Sequence, residues 1–241
     1  MAFAKNGGVG YALTGGEQFA TGYNLMINTL VDDSAQGVIA NIPDLLKAPF
    51  FNSIAIDGLV LSAEQTETFN YMAEIAQVNY LFQEGKNLWH IEDADEPEGW
   101  RFIKEGELVL RSVPEDSVRC SLLGSFVPLP DQYVLDSAEI AAINTSLDFY
   151  NNIIVFVAEQ NNLGFVDMFR YFQKLDGPLV YNGLVFSNEM IKGEFYSLDG
   201  IYPTDRGHAL IANEFIKEIN RHYRASLNEV DVTGFHGVLY P

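Results

Sequence analysis

Apolar residues recur along this chain with two alternating periods, and the alternation predicts helices that feed short buried strands. Between Glu17 and Val31, the residues Phe19, Tyr23, Ile27 and Leu30 fall at helical spacing and share one face. Gly37-Val-Ile-Ala-Asn-Ile42 follows as a short β-branched run bounded by Pro43, the pattern of a strand covered on both sides. Ser62 and Gln65 form a capping box for a helix expected to reach about Gln83, with Tyr71, Ile75, Val78 and Leu81 turned inward. Asp136 and Glu139 repeat that device ahead of the longest helix, expected to end near Gln160 and striped by Ile140, Ile143, Leu147, Tyr150, Ile154 and Val157. Leu163-Gly-Phe-Val-Asp-Met168 reads as a second buried strand, and Val180-Tyr-Asn-Gly-Leu-Val185 as a hairpin with a type I′ turn at Asn-Gly. A rigid turn at Asp199-Gly200, with Pro203 and a capping Thr204, then leads into a final helix that turns Leu210, Ile211, Phe215, Ile216 and Ile219 inward.

The stretch from Gly85 to Pro128 has a different character. Trp89 to Gly99 is acidic and rich in turn formers, and Arg101 to Arg111 predicts a hairpin turning at Glu105-Gly106. We read residues 85–128 as a β-rich cap inserted into a single α/β domain spanning 1–241. With two parallel-strand candidates in all, the sheet is left with open edges, so an oligomer or a partner chain that completes it is expected.

Composition narrows the chemistry. With 48% hydrophobic residues the chain has ample material for a core. Its 14 basic residues against 33 acidic give a net charge of −19, which repels a phosphate backbone or an anionic membrane and excludes nucleic acid as a partner. The single cysteine, Cys120, forms no internal disulfide and is expected to be a small packed side chain. No secretory leader pattern opens the sequence, and its longest apolar run, Ile153 to Ala158, is too short to span a bilayer. Read alone, these features place the chain in the cytoplasm.

Motifs for the commoner chemistries are missing. No Gly-x-Ser-x-Gly elbow, phosphate-binding loop, dinucleotide fingerprint or Cys-x-x-Cys pair occurs, so no cofactor is expected. Four scattered histidines with no pair at helical spacing argue against a metal, and Asp93-x-Asp95 lacks the further oxygens and the glycine of a calcium loop. Ser125, in Gly124-Ser-Phe126, carries no mark of a nucleophile.

The stretch Ser197-Leu-Asp-Gly-Ile-Tyr-Pro-Thr-Asp-Arg-Gly-His-Ala-Leu-Ile-Ala-Asn213 has the build of a catalytic loop running into a helix. Residues 198–220 resemble the last sequence block of the GDSL (SGNH) ester hydrolases, an Asp-x-x-His pair set just before a Pro and a Gly-x-Ala-x-x-Ala-Asn helix. Gly37 to Pro43, Gly106 to Leu110, Pro130 to Ile140 and Leu179 to Phe186 are similar to an envelope-lipoprotein branch of these proteins in Bacteroidetes-type bacteria. The resemblance runs from about residue 7 to the C-terminus and implies part of a flavodoxin-like, three-layer α/β/α sandwich. It also implies ester hydrolysis, an ester, acyl or glycan ligand, and an envelope or secreted setting.

By that resemblance Asp199 stands at the triad-acid position and Tyr202 at the position of the histidine base. A phenol, with an ordinary pKa of about 10, is a donor at neutral pH where the mechanism needs an acceptor. The family's Gly-Asp-Ser block is expected upstream of Met1. Its Gly-x-Asn-Asp block is expected where this chain reads Ala4-Lys-Asn-Gly-Gly8, with Asn6 the one chemically similar residue. His208, six residues past Tyr202, is a substitute base by proximity and a packed or partly solvated first-turn residue by position. The expectation is therefore a GDSL-type serine esterase or lipase homologue that is truncated or inactive. The alternative is a non-catalytic protein whose old pocket around Asp199 and Tyr202 holds a ligand or a partner chain.

Overall fold

The computed structural model describes residues 1–32 and 34–238, and the chain divides into two compact units, Met1–Tyr11 with Ile54–Ile140 and Ala12–Ser53 with Ala141–Pro241. The architecture is mixed α/β with small sheets, each of two strands among the described residues.

The second unit holds the parallel pair. Val38–Ala40 runs beside Gly164–Val166 with Ile39 opposite Phe165. Strands this short cannot hold themselves, and side chains from the final helix, Asp205–Tyr223, finish them. Tyr223 donates its hydroxyl to the Gly37 carbonyl at 2.7 Å and accepts the Gly37 N–H, while Glu218 accepts the Phe165 N–H at 3.0 Å. Ile27 of the helix Gly16–Val31, Val157 of the long helix Ser137–Gln160 and Leu163 form a buried cluster, against which Ile39, Tyr23, Val31 and Ile153 pack. Apolar periodicity in the two helices thus becomes a shared core over one strand. The hairpin forms as its sequence dictates, Leu179–Tyr181 against Leu184–Phe186, with Asn182 and Gly183 both at positive φ as a type I′ turn requires.

The first unit is a set of short antiparallel pairs: Leu59–Leu61 with Gly85–Asn87, His90–Glu92 with Trp100–Phe102, and Leu108–Val109 with Val134–Leu135. They close on a core that includes Leu61, Phe82, Trp89, Ile91, Ile103 and Leu129. Residues 85–128 fall inside the longer segment of this unit, Ile54–Ile140, to which Met1–Tyr11 is added.

Several elements depart from their sequence patterns. The capping box of Ser62 and Gln65 is present, but its helix stops at Ile75, and Gln77 takes a positive φ. Asn70 then holds Phe82 by both backbone groups, at 2.8 and 3.0 Å, and so turns the chain back. With that return, Phe69 and Ala73 face the core, whereas Tyr71, Ile75 and Leu81 are exposed. The turn at Glu105-Gly106 exists, but it joins two sheets instead of closing a hairpin: 100–102 pairs back to 90–92, and 108–109 pairs forward to 134–135. Arg101 sets this corner by binding Asp93 on one side and Glu107 on the other. Leu30 is exposed because Tyr23, Ile27 and Val31 already fill the inner face of its helix, and Cys120 is exposed at the end of the helix Glu115–Cys120.

Among the described residues, Ser137–Gln160 alone is long and apolar enough to cross a membrane by length and composition. Its Ile143, Leu147, Ile154 and Val157 are buried within the protein, whereas Phe149 and Phe156 on other faces are exposed.

Candidate functional site

The Asp199 loop is a closed, rigid turn. A bridge between Tyr196 and Pro203 shuts its base, the Ser197 N–H donates to the Tyr202 carbonyl at 2.8 Å, and the Gly200 N–H donates to the Ser197 carbonyl at 3.0 Å. Asp199 Oδ1 accepts three hydrogen bonds from this loop: Ser197 Oγ at 2.7 Å, Ile201 N at 2.8 Å and Tyr202 N at 3.0 Å. Gly200 sits at φ +72°, and its carbonyl takes the Phe50 N–H. A Cβ there would lie 2.8 Å from Phe50 N, so both the backbone angle and the close approach require glycine.

The helix start is equally determined. Thr204 caps it by accepting the Gly207 N–H at 3.1 Å while donating its hydroxyl to the Glu194 carbonyl at 2.8 Å. Gly207 lets the helix lie close to the segment beneath, since a Cβ there would come within 2.5 Å of the Phe195 carbonyl oxygen, and in that segment Phe195 and Tyr196 pack edge-on at 5.0 Å. A further support comes from Arg206, which the local sequence pattern does not announce. Arg206 holds the C-terminal arm against the helix start: Nε donates to the Phe235 carbonyl at 2.9 Å, its backbone N–H to the His236 carbonyl at 3.2 Å, and a terminal nitrogen pairs with Glu194 at 2.8 Å. An arginine in the first turn of a helix is poorly placed for the dipole, and that was the one signal available in the sequence.

Ser197, Leu198, Asp199, Pro203, Thr204 and Asp205 line an open cavity of about 390 Å³, which Gly237 and Val238 of the arm complete. Tyr202 and His208 are not among these lining residues. Tyr202 is 62% exposed and contributes its backbone to the loop. His208 is exposed in the first helical turn, with Nδ1 3.0 Å from the Thr204 carbonyl. Of the three sequence candidates, two on the loop and His208 on the helix, only Asp199 reaches the cavity, beside a second carboxylate, that of Asp205.

The other candidates have structural partners. Ser125 is buried and donates Oγ to the Leu122 carbonyl at 2.8 Å. Asn6 donates to the Val9 carbonyl at 2.6 Å and His222 meets the Asn162 carbonyl at 3.0 Å. Asp93 binds Arg101 and accepts the Asp95 N–H, so the acidic pair staples its own loop. Among the described residues no group of three His, Cys, Asp or Glu side chains is arranged to hold a metal. His90 is buried against Trp100, Phe102 and Tyr80 with Nε2 unpartnered, and burial lowers its pKa to about 4. It is an aromatic-core histidine held neutral.

No family model matches this chain, nor does any curated protein or solved structure.

Proposed function

We propose that this chain is a homologue of the GDSL/SGNH ester hydrolases whose loop before the last helix survives as a scaffold and no longer cleaves esters. It acts as a non-catalytic ligand- or partner-binding protein, in the envelope or secreted setting that the sequence resemblance implies. The three-layer α/β/α arrangement of that fold is part of the proposal, supported by the parallel pair 38–40 and 164–166 with helices packed on it.

One observation carries this reading: Asp199 Oδ1 is engaged by three donors of its own loop, so the carboxylate fastens a turn. Orienting an imidazole would need a histidine at residue 202, and there stands an exposed tyrosine with no ring nitrogen to take up a proton. No Gly-Asp-Ser sequence occurs in the 241 residues. The cavity beside Asp199 is wide and open, which suits a ligand or a peptide segment held at the surface.

The test is hydrolysis of p-nitrophenyl acetate and butyrate by the purified chain and by Tyr202→His. No turnover above buffer in either form is the expected result. Turnover that Asp199→Ala abolishes would overturn the reading and restore an esterase.

A further inference from the structure

A second cavity, of about 320 Å³, lies where the two parallel strands end. Asn41 follows the strand Val38–Ala40 and Asp167 follows Gly164–Val166, and both line it. The crevice beyond the carboxyl ends of parallel strands is where α/β sheets hold their ligands, because loops diverge there and leave backbone and side-chain polar groups converging on one space. Facing the strand ends is one side of the long helix, with Asp148, Asn151 and Asn152 at helical spacing, and Phe169 adds an aromatic side chain.

The hydrogen-bond inventory of this cavity shows what it has left to offer. Asn41 donates to Asp167 at 2.8 Å and accepts the Phe169 N–H at 2.8 Å, and Asn151 accepts the Ile42 N–H and donates to the Ile42 carbonyl at 2.8 and 3.0 Å. Each amide is thereby fixed in orientation and keeps one hydrogen and one lone pair unused. The side chains of Asp148 and Asn152, both in the helix Ser137–Gln160, have no hydrogen-bond partner among the described residues. The cavity therefore presents alternating donors and acceptors, two of them preorganised, beside an apolar ring.

We propose that this cavity binds a neutral polyhydroxylated ring of monosaccharide size. Vicinal hydroxyls each donate and accept at once, which matches amides and carboxylates that offer both functions in close succession. Phe169 supplies the apolar contact that the C–H face of such a ring needs. A phosphorylated ligand is disfavoured. The one basic side chain lining the cavity, Arg170, already lies 3.5 Å from Asp167, and the chain carries a net charge of −19. The volume stands at the low end for ligand sites, suiting one ring. The site shares no residue with the Asp199 cavity and stands whether or not the esterase ancestry holds.

The experiment is a titration of the full chain, labelled with nitrogen-15, with glucose, galactose, mannose and N-acetylglucosamine, each to about 50 mM, and with spermidine as a cationic comparison. The expected result is saturable shifts of the Asn41, Asn151 and Asn152 side-chain amide signals with at least one sugar. Asp148→Ala and Asn152→Ala, which remove no internal hydrogen bond, should each weaken that binding by roughly tenfold. Asp199→Ala should leave it unchanged. Absence of saturable shifts with all four sugars overturns the proposal, as does binding that both variants leave intact. A response to spermidine alone also overturns it, since the cavity would then be a cation site.

Discussion

His90 and Trp100 stack with ring centroids 4.6 Å apart and planes 22° from parallel, so an ionisable ring is built into the aromatic core of the first unit. Burial lowers the His90 pKa from 6.5 to about 4, against a smaller opposing effect of a hydrogen bond to the Ser125 backbone, and Nε2 meets no partner. The folded state thus binds fewer protons than the unfolded state between those values. Stability that is complete above pH 6.5 is lost as pH falls toward 4, by up to about 3 kcal/mol. His90→Phe removes the titrating group and fits the same aromatic surroundings. In thermal melts at pH ~7.5 and ~4.5, the wild type should lose ground to the variant on acidification. A constant gap between the two would show that His90 does not titrate on unfolding.

Glu139 works in the opposite sense within the same unit. Burial, followed by the carboxylates of Asp136 and Asp131, raises its pKa to about 7, although the Asp136 N–H bond pulls it down. Between about 4.5 and 7 the folded state holds a proton that the unfolded state releases, so this contribution is present at low pH and is lost as pH rises. Glu139→Gln keeps the oxygen that accepts the Asp136 N–H at 3.1 Å and discards the charge. Because the side chain is only half buried, solvent screening limits the gain to about 1 kcal/mol near pH 8, read as a shift in the urea midpoint. Below pH ~4.5 variant and wild type should coincide.

Asp199 gives a prediction about stability. Alanine there deletes the acceptor of three loop hydrogen bonds and should cost about 1–2 kcal/mol. Asparagine keeps an acceptor oxygen and should recover most of that. Hydrogen exchange at the Ile201 and Tyr202 amides is the local readout: both should exchange faster in Asp199→Ala and near the wild-type rate in Asp199→Asn.

Local chemistry that names its own partner could be read from the sequence, and chemistry that depends on distant partners could not. Ser62 with Gln65, Asp136 with Glu139, Thr204 as a cap and Asn182-Gly183 as a turn all formed, because each satisfies backbone groups within a few residues. The parallel strands were visible as short apolar runs, and the structure pairs them with each other across a long stretch of intervening chain. The first unit was harder to read, since strands of two or three residues carry no period long enough to declare their partners. The helix after Ser62 looked longer than it is because Val78 and Leu81 continue its period after Asn70 has drawn Phe82 back. At the candidate site the loop was legible and its occupancy was not. Only the geometry turns Asp199 into a turn staple, leaves Tyr202 in solvent and ties Arg206 to an arm about thirty residues away in sequence.

The corner that redirected the predicted hairpin supplies the last prediction. Glu107 has only 1% of its side chain exposed, and Arg101 meets it with two hydrogen bonds, at 2.7 and 2.8 Å, while the Lys104 N–H adds a third at 2.8 Å. Burial pushes the Glu107 carboxyl upward, but these donors outweigh it and hold the group below the usual carboxylate range. Arg101→Met would leave that carboxylate buried without its counter-charge, a loss of about 3–5 kcal/mol. Arg101→Met with Glu107→Leu removes both charges and should restore much of the loss, so the double variant is expected to be more stable than the first single one. Urea unfolding of the three proteins at neutral pH measures this directly. If the double variant is no better than Arg101→Met, the arginine acts through packing of its stem and its contact with Asp93, and not through neutralising Glu107.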